Sequence, residues 1–153
     1  GTRVGDRVLF VGHSQGALVS ANLASSEQRY QVSGLISVAG PIAHLKLDGI
    51  PTLAIEHDDD PVPALSGSRN PLTLDLVTVR APSGEDNLIA AHSVTSYLDL
   101  ASQIDSSENS ALRQLIERIG SPDAESGTSQ EYLLRRTSGQ ESERTNGGVI
   151  CTP

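Results

Sequence analysis

An α/β fold with a mostly parallel sheet is what this sequence predicts, and two observations carry the expectation. From residue 1 to about 120, short β-branched runs alternate with segments of helical periodicity, the pattern of strands joined by crossovers. The first junction reads Gly12-His13-Ser14-Gln15-Gly16, set between Arg7-Val8-Leu9-Phe10-Val11 and Ala17-Leu18-Val19-Ser20-Ala21-Asn22-Leu23-Ala24. Gly-x-Ser-x-Gly between a strand and a helix is the nucleophile elbow, whose strained turn lifts the serine hydroxyl above the sheet edge. Both glycines are expected there because a Cβ would clash.

The elements follow in order. Val8 to Val11 is the first strand, and Ala17, Leu18, Ala21 and Ala24 give the elbow helix a small-residue face that permits close approach to a sheet. Leu35-Ile36-Ser37-Val38 is a second strand, closed by Gly40-Pro41. Pro51 to Glu56 is a third, with proline at its first position, where a missing N–H is tolerated. Leu72 to Arg80 is a fourth, with Leu72, Leu74 and Leu76 among its apolar members. Two helices follow: Val94, Tyr97, Leu98, Ala101 and Ile104 share one face, and Leu112, Leu115, Ile116 and Ile119 share another that stops at Gly120. From Ser121 the composition turns to Ser, Thr and Gly with few apolar residues. Residues 121–153 are therefore expected to be a disordered tail, too poor in apolar surface to offset ordering entropy.

Composition narrows the function classes. The 153 residues can hold one domain with a core. A formal charge of −8, from 11 basic and 19 acidic residues, argues against a nucleic-acid partner. Phe10, Tyr30, Tyr97 and Tyr132 are too few aromatics for a base-stacking platform. Cys151 is the single cysteine, so no intrachain disulfide forms, and no apolar stretch approaches the roughly 20 residues that span a bilayer. Methionine is absent even at position 1, which suggests a piece of a longer protein; localisation is then open, cytoplasmic or secreted.

A serine hydroxyl becomes a nucleophile when a base removes its proton, and that base needs an orienting carboxylate. In the elbow fold these follow the serine in the order acid, then histidine. The acid candidates lie in Glu56-His57-Asp58-Asp59-Asp60-Pro61-Val62-Pro63, after the third strand, where parallel sheets place their sites. Asp60 is preferred, because Pro61 rigidifies the turn and Val62-Pro63 can anchor it; Asp58 and Asp59 remain alternatives. Without its setting, Asp-Asp-Asp would read as a solvated acidic turn. His92, in Asn87-Leu88-Ile89-Ala90-Ala91-His92-Ser93-Val94, sits in a loop before a helix and is the base candidate. His13 is expected to pack beside the serine, and His44 and His57 to be structural or rim residues. The backbone N–H of Gln15 would supply one oxyanion donor, helped by the positive end of the elbow helix. A second donor would come from a loop upstream of this sequence.

Taken together, Gly12-His13-Ser14-Gln15-Gly16, Asp60-Pro61-Val62-Pro63 and His92 ahead of a helix resemble the α/β-hydrolase superfamily, more narrowly its lipases and esterases. The acid loop looks like that of the class 3 lipases and of several bacterial esterases. The resemblance covers roughly residues 4 to 105. In that superfamily the elbow follows the fifth of eight strands, so the resemblance implies that residues 1–120 are the C-terminal half of a catalytic domain. It also implies that this half alone is inactive and poorly stable, with an apolar edge at Val8–Val11. The implied function is cleavage of small-molecule or lipid carboxylic esters by Ser14, His92 and Asp60, with no metal or organic cofactor; acyl transfer, thioester hydrolysis and peptide hydrolysis use the same machinery and stay open. Two other readings are a non-catalytic scaffold with a binding role, and a tail that acts as a linker or partner-binding segment.

Overall fold

In a computed structural model that describes residues 3–27 and 29–120, the chain forms four strands and four α-helices. The expected tail, 121–153, lies outside the described residues. The elements run β1 (Arg7–His13), α1 (Gln15–Ser26), β2 (Gln31–Val38), β3 (Thr52–His57), β4 (Leu76–Ala81), α2 (Leu88–Ala91), α3 (Ser96–Asp105) and α4 (Ser110–Ile119), with a 3-10 turn at Val62–Ser66. The strands pair in the order β1-β2-β3-β4, all parallel.

Alternation along β3 divides the core between two faces of the sheet. Leu53 and Ile55 point to one face, where they meet Tyr97, Leu100 and Ile104 of α3 and Leu112, Leu115 and Ile119 of α4. Ala54 points to the other, where it joins Ala21 of α1, Leu35 of β2, and Ile42 and Leu47 from the connection between β2 and β3. Every residue of β3 is buried, as expected for a parallel strand covered on both sides. Ala17, Ala21 and Ala24 are the buried residues of α1, and their small side chains let the helix lie close to the strands.

Two segments depart from the periodicity reading. The fourth strand begins at Leu76 rather than Leu72, and Leu74 is 94% exposed. A turn intervenes: the Thr73 N–H donates to the Leu76 carbonyl at 2.8 Å, and the Leu76 N–H returns to Thr73 Oγ1 at 3.1 Å. Arg118 of α4 holds it from outside through the Leu74 carbonyl and the Asp75 carboxylate. The buried face of α3 is Tyr97, Leu100 and Ile104, while Val94 and Leu98 are exposed. The helix is rotated toward the side on which the Tyr97 hydroxyl finds polar partners. By contrast α4 buries Leu112, Leu115 and Ile119 and ends at Gly120, whose φ of 77° suits glycine.

Leu115→Ala is expected to lower stability by about 2–5 kcal/mol, because it opens a cavity between α4 and the sheet. Leu74→Ala is expected to stay within about 0.5 kcal/mol, as for an exposed side chain. Urea unfolding of the two variants checks this, and equal losses would contradict the turn at Thr73–Leu76.

Candidate active site

Ser14, Asp60 and His92 lie at the carboxyl ends of β1, β3 and β4, or in the segments that follow them, which places all three along one edge of the sheet. Ser14 sits between β1 and α1 with φ 57° and ψ −127°, a conformation L-residues rarely adopt. Its N–H donates to the Val38 carbonyl at 2.8 Å and its own carbonyl accepts from the Ala17 N–H at 3.0 Å, so β2 and α1 fix the turn. Ser14 stands at the N-cap of α1, where a serine hydroxyl ordinarily caps the helix, yet it makes no such bond. The hydroxyl is turned instead to His92 Nε2, at 2.8 Å.

The two glycines of the elbow have different reasons. A Cβ at Gly12 would collide with the backbone of Gly16 and Ala17, so the helix can follow the strand this tightly only if that position is bare. A Cβ at Gly16 would meet nothing within 4 Å. The expectation that both exclude a side chain is thus corrected for Gly16, which faces open space.

Asp60 is separated from its neighbours by what each aspartate binds. Asp58 is exposed and pairs with Arg69 at 3.1 Å. Asp59 accepts from the hydroxyl and N–H of Ser83, which hold its carboxyl below the usual carboxylate range. Asp60 turns inward, with no exposed side-chain surface. Its Oδ1 accepts the Val62 N–H at 2.9 Å, and its Oδ2 accepts from His92 Nδ1 at 2.8 Å and from the Tyr97 hydroxyl at 2.8 Å. Pro61 and the buried Pro63 start the 3-10 turn that presents the Val62 N–H, as the sequence suggested.

His92 closes the one-turn helix α2, where the sequence pattern predicts a loop. The Asn87 side chain caps that helix at the Ala90 N–H, and the His92 N–H donates to the Leu88 carbonyl. His13 donates from Nε2 to the His92 carbonyl at 2.9 Å, and the two rings lie 4.9 Å apart. The His92 ring keeps 24% of its surface exposed. Because a carboxylate can only accept, Nδ1 carries the proton of the His92–Asp60 bond, which leaves Nε2 to accept from Ser14. Serine, imidazole and carboxylate thus form a continuous relay, able to take a proton from Ser14 and stabilise the resulting imidazolium. Gln15 is the first residue of α1, so its N–H is among those without an intrahelical acceptor.

Tyr97, which periodicity assigns to an apolar helix face, is instead bonded through its hydroxyl to Asp60. The available signal was a tyrosine among aliphatic core positions, since a buried phenol requires a partner. His57, expected to be a structural or rim residue, is buried: its ring nitrogens face the carbonyls of Ala81 and Ser96 at 3.1 and 3.3 Å, and its ring lies 4.0 Å from that of Tyr97. His44 lies in the connection between β2 and β3. A cleft of about 360 Å³ between Leu47 and Leu74, and one of about 210 Å³ beside Leu100, do not include Ser14, Asp60 or His92. Among the described residues no group of three His, Cys, Asp or Glu could hold a metal ion, and no helix is long and apolar enough to cross a membrane.

Gly12→Ala is expected to cost about 1–3 kcal/mol or more, because it forces apart the strand and helix that hold Ser14. Gly16→Ala is expected to be neutral or to stabilise by up to about 1 kcal/mol, since alanine favours helix. Thermal unfolding of both variants gives the comparison. No family model matches the chain, and no curated protein and no solved structure matches it.

Proposed function

We propose that this protein is a serine hydrolase of the α/β-hydrolase type that cleaves carboxylic esters. The observation that carries the reading is the Ser14–His92–Asp60 relay, with two links of 2.8 Å, built on a strained turn between β1 and α1. Ser14 Oγ attacks the acyl carbon while His92 Nε2 takes its proton, and Asp60 stabilises the imidazolium. The Gln15 N–H, at the positive end of α1, stabilises the oxyanion of the tetrahedral intermediate. His92 then gives the proton to the leaving alkoxide, and an acyl-enzyme remains on Ser14. Water attacks this ester with the same base and returns the carboxylic acid and free Ser14. Substrates in this reading are small-molecule or lipid esters.

Geometry supports the enzyme over a non-catalytic scaffold for a specific reason. A scaffold gains nothing from a serine held at φ 57° with its hydroxyl withdrawn from the helix cap.

A fluorophosphonate tests the relay directly, because it phosphonylates a serine whose proton a neighbouring base can take and asks little of the acyl pocket. Labelling is expected at Ser14, both in residues 1–153 and in any longer natural chain that contains them. It is expected to vanish in Ser14→Ala and to slow by about 10³–10⁴-fold in His92→Ala and Asp60→Asn, the loss typical of triad residues. Asp58→Asn is expected to leave the rate within about threefold, since that side chain is exposed. A folded protein that is not labelled at Ser14 would favour the scaffold.

A further inference from the structure

We propose that Tyr97 is a positioning residue of this site: its hydroxyl fixes the Asp60 carboxylate and tempers the charge that Asp60 offers to His92. The proposal deepens the hydrolase reading and rests on it for its relevance to catalysis. Tyr97 lies five residues beyond His92, on the buried face of α3, and is 3% exposed. Filling that volume requires only the ring. The hydroxyl brings a polar group into the core, and both of its bonds lead to the relay or its support.

The direction of those bonds follows from hydrogen counting. The His57 N–H, at the end of β3, donates to the Tyr97 oxygen at 3.0 Å. A phenol has one proton, and its other partner, Asp60 Oδ2 at 2.8 Å, is a carboxylate oxygen that accepts. Tyr97 therefore donates to Asp60. Burial pushes the phenol well above its ordinary range, so it remains a donor wherever the protein is folded. Oδ2 is shared between the Tyr97 hydroxyl and His92 Nδ1, while Oδ1 is held by the Val62 N–H. Three donors from three segments leave the carboxylate no free rotation.

Sharing has an electrostatic consequence. A hydrogen bond to a charged carboxylate stabilises the charge where it is and weakens its pull on a second partner. Removing the Tyr97 donor leaves Asp60 Oδ2 to His92 Nδ1 alone, so the carboxylate attracts an imidazolium more strongly. His13 and Ser14 from the elbow face His92, while Tyr97 is faced by His13, by His57 and by the charge of Glu56 on β3. Glu56 is engaged by Arg80 at 2.7 Å.

Two substitutions of opposite sign test the proposal on the full chain: Tyr97→Phe, which removes the donor, and 3-fluorotyrosine at position 97, which strengthens it with little change of shape. The readouts are the pH profile of Ser14 phosphonylation and the titration of the His92 ring followed by NMR. In Tyr97→Phe the plateau rate is expected to fall about tenfold and the acid limb to move to higher pH by roughly half a unit. With 3-fluorotyrosine the limb is expected to move to lower pH. A plateau loss with an unmoved limb in both variants would make Tyr97 a packing residue and overturn the proposal. Should Tyr97→Phe not fold, having orphaned the His57 N–H, the fluorotyrosine arm alone decides. If the native protein is not phosphonylated, the hydrolase reading fails, and the ring titration still decides whether Tyr97 governs the Asp60–His92 pair.

Discussion

A carboxylate with no exposed side-chain surface imposes the strictest condition in this structure. Stripped of water, Asp60 must be met by donors, because an isolated buried charge costs far more than the few kcal/mol by which a domain is stable. Each donor comes from a different element, and each element is placed accordingly. The prolines after Asp60 shape the turn that presents the Val62 N–H. The rotation of α3 brings in the Tyr97 hydroxyl at the expense of leaving Leu98 in solvent. Closure of α2 by His92 delivers an imidazole nitrogen. Ser14 is then the last link, reached from the far strand β1.

The parallel sheet makes that meeting possible at modest distance. Strands that all run the same way release their loops along one edge, so residues 78 positions apart can share a hydrogen bond without a long loop crossing the core. Small residues tighten the geometry further. Ala17 and Ala21 lie fully buried beneath α1, and a side chain at Gly40 would collide with Ala17 and Ser37. The end of β2 therefore packs directly under the first turn of α1, where the Val38 carbonyl takes the Ser14 N–H.

Much of this was legible in the chain, and the reason is local. The elbow announces itself in five residues, and the order serine, acid, histidine is a property of sequence. Prolines at 61 and 63 favour Asp60 over Asp58 and Asp59, which the sequence alone leaves as alternatives. What escaped was long-range. The alternation of Leu72, Leu74 and Leu76 mimics a strand, but the turn that ends it is held by Arg118 from a helix 43 residues away. Tyr97 looks like one more apolar position because its partners, at 57 and 60, are visible only once β3 and α3 are packed together. The one-turn helix α2 falls below the length at which periodicity carries information.

Local rules broken in a consistent direction are themselves informative. An N-cap serine that caps nothing forgoes about 1 kcal/mol of helix stability, and a non-glycine residue at φ 57° carries further strain. A helix with neither an acidic first turn nor a basic last one has little reason of its own to tolerate both. The compensation lies in packing, through the buried alanines of α1 and the bare Cα of Gly12. That packing holds the turn from which Ser14 Oγ reaches His92. Sequence and structure thus agree on a turn whose cost makes sense only through what its hydroxyl touches.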